Sequence, residues 1–272
     1  MMLPALIGAI CSTTVASAAE TSHLRIADQA GLTLKQQLGQ LLFFDTNLSS
    51  PAGQACASCH DPKVGFSEMR PDLPVSKGVV EGKTGARNTP MAAYAAFAPR
   101  FHFDEDEGLW IGGQFLDGRA ANLVEQAEGP PLNPDEMHNP DKKTVVAKLK
   151  AAAYRARFEG VFGKDVWDDD EMAYRKMAEA IAAFENSRGF NRFTSKFDYF
   201  LAGRVQLSEQ EAKGLEVFNA EDKGNCAACH ISVADGATPP LFTDYTYDNL
   251  GVPSNPEILA LKGREFVDIG LG

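Results

Sequence analysis

The chain has 272 residues, 44% hydrophobic and 23% charged, which gives enough apolar material for a buried core, argues against wholesale disorder and suggests two domains. Its 37 acidic against 26 basic side chains set a net charge of −11, with no dense Lys/Arg stripe, so nucleic acid is a poor partner and basic partners are favoured. Five cysteines are too few for a disulfide scaffold at this length.

In chain order, Met1 to Ala18 holds no charged side chain, contains the apolar run Leu3 to Ile10 and ends in Ala16-Ser17-Ala18, a small-x-small pattern that suits signal peptidase. Residues 1–18 read as a signal peptide, with Ala19 first in the mature chain and Cys11 lost with the leader. No Lys or Arg precedes the run, which departs from the usual pattern, and a buried first helix is the alternative reading. The run is too short to span a bilayer and no other segment is apolar enough, so an exported, periplasmic protein without a membrane span is expected.

Thr33 and Gln36 form a capping box before Leu34, Leu38, Leu41 and Leu42, which fall at helical spacing. Cys56-Ala57-Ser58-Cys59-His60 follows. Gly, Pro and Asn are common from residue 61 to 140, which predicts long ordered loops around a cofactor. Helices are predicted at Ala120 to Ala127, Thr144 to Ala153 and Met172 to Phe184. The last carries Ala173, Met177, Ala180, Ile181 and Phe184 on one stripe behind Asp168 to Asp170 as caps, and its Met and aromatic positions read as core rather than ligands. Ser208 and Glu211 repeat the capping box before Ala212, Leu215 and Phe218, and Cys226-Ala227-Ala228-Cys229-His230 comes next. The recurrence of helix, loop and motif predicts two related modules. The expected fold is mainly α, two cytochrome c-like haem domains with long ordered loops and little strand, divided near Gly163 to Asp169 into residues 19–165 and 166–272.

The two CxxCH motifs carry the chemistry. Cysteines at i and i+3 lie on one face of a helical turn, where both sulfurs can bond the vinyl groups of one haem while the next residue turns its imidazole to the iron. A single zinc site built from all four cysteines would leave both histidines unexplained. A thioredoxin-like pair would need one motif at a strand–helix junction rather than two copies ending in His. Two covalently bound haem c groups are expected, held by Cys56, Cys59 and His60 and by Cys226, Cys229 and His230. Export agrees, because haem c is attached outside the cytoplasm.

These motifs sit within an ordered set that resembles the bacterial diheme cytochrome c peroxidase family, including its MauG-type branch. The set runs through Leu42-Phe43-Phe44-Asp45, Leu48-Ser49, Gly65-Phe66-Ser67, Gly85-Ala86-Arg87-Asn88-Thr89-Pro90, Asp117-Gly118-Arg119-Ala120, Gln126-Ala127, Pro134-Asp135-Glu136-Met137 and Asn249-Leu250-Gly251-Val252-Pro253. The resemblance implies that the first haem reacts with hydrogen peroxide and the second receives electrons from a small cytochrome c or copper protein. It places Gln126 and Glu136 in the distal pocket. There a carboxylate can move a proton between the peroxide oxygens and an amide can orient them; a mere loop carboxylate is the alternative for Glu136. It also implies a calcium ligand at Asn88, a haem-propionate partner at Arg87, and a homodimer.

Three departures bear on the function. Many family members carry a sixth-ligand His after the first motif. Here none occurs between His60 and His102, Val80 falls near its place, and His102 reads as a packed or surface residue, so the first haem is expected to be open. The family's Trp before Asp-Gly-Arg is Leu116 here, with Trp110 six residues earlier as a substitute or a core residue. No Met follows His230 and the last tyrosines are Tyr245 and Tyr247, so the expectation is a truncated or partial sequence, or a second haem that is five-coordinate or unusually ligated. Peroxide reduction is the leading function. A MauG-type oxidation of residues in a partner protein, and a non-enzymatic diheme electron carrier or haem-binding fragment, are the alternatives.

Overall fold

The computed structural model describes residues 31–69 and 72–271; the leader expected over 1–18, and Cys11 with it, lies outside them. Helix α1 (Leu34–Phe43) begins at the expected capping box. The Thr33 hydroxyl oxygen accepts from the Gln36 N–H at 3.2 Å, and Gln36 Oε1 accepts from the Thr33 N–H at 2.9 Å. Leu38, Leu42 and Phe43 are buried on its inner stripe, whereas Leu34 is exposed. The motif helix α2 (Cys56–Cys59) follows, with Cys56 and Ala57 packed against the same core.

Asn122 caps α3 (Leu123–Ala127) by accepting from two N–H groups, those of Val124 and Glu125. The helix therefore starts later than its apolar pattern suggests. Asp141 does the same for α4 (Lys142–Ala151) by accepting from the Thr144 N–H at 2.7 Å, moving that helix earlier by two residues. Helix α5 (Arg155–Phe162), which has no expected counterpart, leads to the longest helix, α6 (Asp170–Glu185). The predicted stripe of α6 is buried against α1, α3 and α4. At its centre the Phe43 ring meets Phe44, Phe66, Phe184 and Phe190 edge-on at centroid distances of 5.4 to 6.2 Å. Each such ring withdrawn from water is worth roughly 1.5–3 kcal/mol.

This core runs from Leu38 to Phe190, so α6 belongs to the packing unit of α1. The sequence division at 165 and 166 puts α6 in the second half; Asp169, within the expected capping run, caps α6 by accepting from the Glu171 N–H at 2.8 Å. Helices α1 and α6 touch at Gly39, where an added Cβ would stand 1.8 Å from the Ala180 carbonyl oxygen and 2.8 Å from Phe184 Cβ. Gly39→Ala is therefore expected to cost about 3 kcal/mol or more, at the upper end of overpacking penalties, measured as a lowered thermal midpoint.

The second half contributes α7 (Lys196–Leu201), α8 (Glu209–Asn219), whose Ser208–Glu211 capping box forms as expected, and α9 (Pro256–Lys262). Among the described residues after Phe190 the buried ones are Ser232 and Pro240, so no aliphatic or aromatic side chain there is fully buried. Strands β1 (His102–Asp104) and β2 (Leu109–Ile111) form a short antiparallel pair, with Phe103 opposite Trp110. Tyr245 to Tyr247 joins the edge of β2: the Gly112 N–H donates to the Tyr245 carbonyl at 2.9 Å, and the Tyr247 N–H donates to that of Trp110 at 3.2 Å. No helix among the described residues is long and apolar enough to cross a membrane.

Candidate functional site

Cys56 and Cys59 start and finish the single turn α2, so their sulfurs share one face, and His60 is its C-cap. The His60 Nδ1 lies 3.2 Å from the Phe66 carbonyl oxygen. A carbonyl can only accept, so Nδ1 carries the proton and the Nε2 lone pair is left free for a metal. Burial lowers the pKa of His60, which favours the neutral form that a ligand needs.

The three motif residues line a cavity of about 450 Å³, within the range of roughly 300–1,000 Å³ usual for small-molecule and cofactor sites. Gln126, Glu136 and Asn88 line it too, so every residue expected at the first haem comes to one place. Gln126 stands on the last turn of α3. Glu136 stands on a loop in which Asn133 donates from Nδ2 to Glu136 Oε1 at 2.6 Å and accepts at its carbonyl from the Glu136 N–H at 3.1 Å. Burial raises the Glu136 pKa and the Asn133 hydrogen bond opposes it, leaving a carboxyl able to hold and release a proton.

The residues present fit a flat apolar group attached through two thiols. Two buried polar atoms without a hydrogen-bond partner, Gln54 Oε1 and Glu185 Oε2, belong to side chains on the cavity wall. Burial, and next the Glu185 carboxyl, push the Cys56 thiol up, so as a free thiol it stays protonated. From the second half, Phe266 to Ile269 also line the cavity. Arg87 donates to both carboxylate oxygens of Asp268 at 2.6 and 2.5 Å, lies 2.7 Å from Asp117, and donates to the Phe115 carbonyl at 2.9 Å. The hydrogen bonds from Arg87 hold Asp268 down to about 2. Arg87, expected at a propionate, is thus engaged by side-chain carboxylates. Among the described residues no cluster of three His, Cys, Asp or Glu side chains stands ready for a metal ion.

The second motif is laid out the same way. Cys226 to Ala228 form one tight turn, and His230 Nδ1 lies 3.0 Å from the Phe242 carbonyl oxygen, which leaves its Nε2 free by the same reasoning. In both modules the accepting carbonyl belongs to a Phe in the left-handed region, Phe66 at φ 59° and Phe242 at φ 55°. A bulky residue there costs roughly 1–2 kcal/mol and persists only where its surroundings impose it. Unlike the first motif, Cys229 and His230 are exposed.

Val80 is at the turn of a hairpin closed by the Lys77–Thr84 bridge and is absent from the cavity lining, whereas Leu116 is part of it. His102 is exposed on β1 with Nδ1 2.8 Å from the Arg100 carbonyl, away from the cavity. Trp110 stacks on Phe101 at 4.8 Å, also outside it. The Tyr247 hydroxyl donates to the Gly112 carbonyl at 2.7 Å.

Comparison with known proteins agrees with this layout. The family model described as di-haem cytochrome c peroxidase matches residues 33–206. The chain is 42% identical over 241 residues to methylamine utilization protein MauG of Paracoccus denitrificans, covering 86% of this chain and 61% of that one. It is 30% identical over 217 residues to cytochrome c551 peroxidase of Nitrosomonas europaea, covering 79% and 55%. Among solved structures, the diheme peroxidase BthA of Burkholderia thailandensis superposes with a TM-score of 0.80 at 36% identity, over 90% of this chain and 62% of that one. The chain thus spans less than two thirds of the length of these relatives.

Proposed function

Because the chain belongs to the di-haem cytochrome c peroxidase family, we propose that it carries haem c at both CxxCH motifs and reduces hydrogen peroxide to water in the periplasm, with electrons from a small redox protein. The observation that carries this reading is the meeting of Cys56, Cys59, His60, Gln126 and Glu136 around one cavity.

The bound haem supplies an iron that exchanges electrons and accepts a small ligand. His60 would hold that iron, its ring oriented by the Phe66 carbonyl. Glu136, whose pKa burial raises, would take a proton from one peroxide oxygen and return it to the other, which departs as water. Gln126 orients the two oxygens. Two electrons and two protons complete the reduction of one peroxide to two waters. Cys226, Cys229 and His230 would hold the second haem, the point of electron entry from a docked donor. The excess of acidic over basic side chains favours a basic donor.

A MauG-type reaction, oxidising residues of a partner protein, is the second reading. It is favoured by Val80 near the place of a sixth-ligand His and by the identity to the Paracoccus protein. The test is to mature the full chain with haem, record its spectrum oxidised and half-reduced, and add peroxide. A high-spin ferric signal that peroxide converts rapidly supports an open first haem. Continuous turnover with a reduced small cytochrome then favours peroxide reduction over the second reading. Two low-spin haems indifferent to peroxide would leave an electron carrier.

A further inference from the structure

Glu185 ends α6 inside the protein. It is 6% exposed, its side chain lines the first cavity, and its Oε2 has no hydrogen-bond partner among the described residues. Cys56 lines the same cavity, and its thiol feels the Glu185 charge more than that of Cys59 or Glu136. We propose that Glu185 takes up a proton when an electron enters the first haem, making Glu185 the positioning residue that couples charge to that site. The proposal rests on the assignment of haem to Cys56, Cys59 and His60.

Most charged groups on the helices packed against α6 are engaged elsewhere, and the charge of Lys143 acts on Asp141. Lys35 pairs with Glu179, Lys142 with Glu171, Lys150 with Asp170, and Glu125 with Arg100, while Lys148 donates to Ser49 and Ser50. Across the cavity, Arg87 is held by Asp117 and Asp268, Arg119 by Asp117, and Lys77 by Asp72, while Asp135 pairs with Lys83 and Lys262 and Glu136 is held by Asn133. With no partner charge, burial alone pushes Glu185 up to about 8, so the group changes its protonation near physiological pH. An added electron makes the site more negative and favours the acid form further. The balance is one electron from the donor and one proton from solvent, and the bond formed is O–H on the carboxylate.

Glu185→Gln keeps the shape of the side chain and should fold. The unfolded carboxyl ionises above its ordinary 4.5 and the folded one only near 8, so the wild type loses stability as pH rises through that window, and Gln removes the loss.

The test is the midpoint potential of the first haem against pH in the full-length dihaem protein, its wave identified as the one that His60→Gly displaces. The expected result is a potential that falls with rising pH, by up to a tenfold shift in the redox equilibrium per pH unit, about 59 mV for one electron. Glu185→Gln should flatten this dependence and Glu185→Asp should restore it. A flat wild-type profile overturns the proposal, as does a slope that survives in Glu185→Gln or one removed by Glu136→Gln instead. A Glu185-dependent slope in a protein that does not react with peroxide counts against the peroxidase reading and leaves the role of Glu185 standing.

Discussion

Replacing Glu136 with Gln is expected to slow the reaction with hydrogen peroxide by roughly 10²–10⁴-fold, the range usual for a positioned acid–base group, as measured by stopped-flow absorbance. The argument is geometric. The Glu136 carboxyl lines the cavity of the first motif, is largely withdrawn from water, and is fixed at one oxygen by Asn133 Nδ2 at 2.6 Å. Gln preserves volume and hydrogen bonding but cannot hold a mobile proton. Haem content and the resting spectrum should therefore stay near those of the wild type, which separates this loss from failed assembly. Asn133→Ala provides an independent arm. The amide favours the charged carboxylate, so its removal should raise the Glu136 pKa and move the rising limb of the rate against pH to higher pH. A Glu136→Gln rate within tenfold of wild type would place the proton transfer elsewhere.

The second large effect concerns the other half. Changing Cys226 and Cys229 together to Ser, so that haem cannot be attached there, is expected to leave residues 196–262 without protection from amide hydrogen exchange while α1 and α6 keep theirs. Ordering each residue costs roughly 1–2 kcal/mol of backbone entropy, which only burial can offset. In the first half the offset is the core from Leu38 to Phe190; in the second, Phe242 and Val217 beside the motif remain exposed, and a haem attached there would be their packing partner. Persistent protection of α8 in the double variant would show that this half holds itself together.

Much of this was legible in the sequence because its signals are local. Both capping boxes and both CxxCH turns depend on residues within four positions of each other, and each forms as its spacing predicts. The gathering of Gln126 and Glu136 around the first motif came through resemblance and not through spacing. What stayed hidden depends on distant contacts. Phe66 and Phe242 act through their carbonyls, which no side-chain pattern reports. Gly39 matters because Ala180 crosses it, and a glycine inside a helix gives only a faint hint of that. Glu185 looks like an ordinary polar end to an amphipathic helix until the cavity places it inside. Asp268 has no local motif at all, and its role rests wholly on Arg87.

The Arg87–Asp268 contact spans 181 residues. A chain made from its amino terminus reaches Asp268 only after Cys56, Cys59 and His60 have long been synthesised. Throughout that interval the entrance beside the first motif has no Asp268 to latch it. Were haem attached before that contact forms, Arg87 beside the first motif would still lack its Asp268 partner.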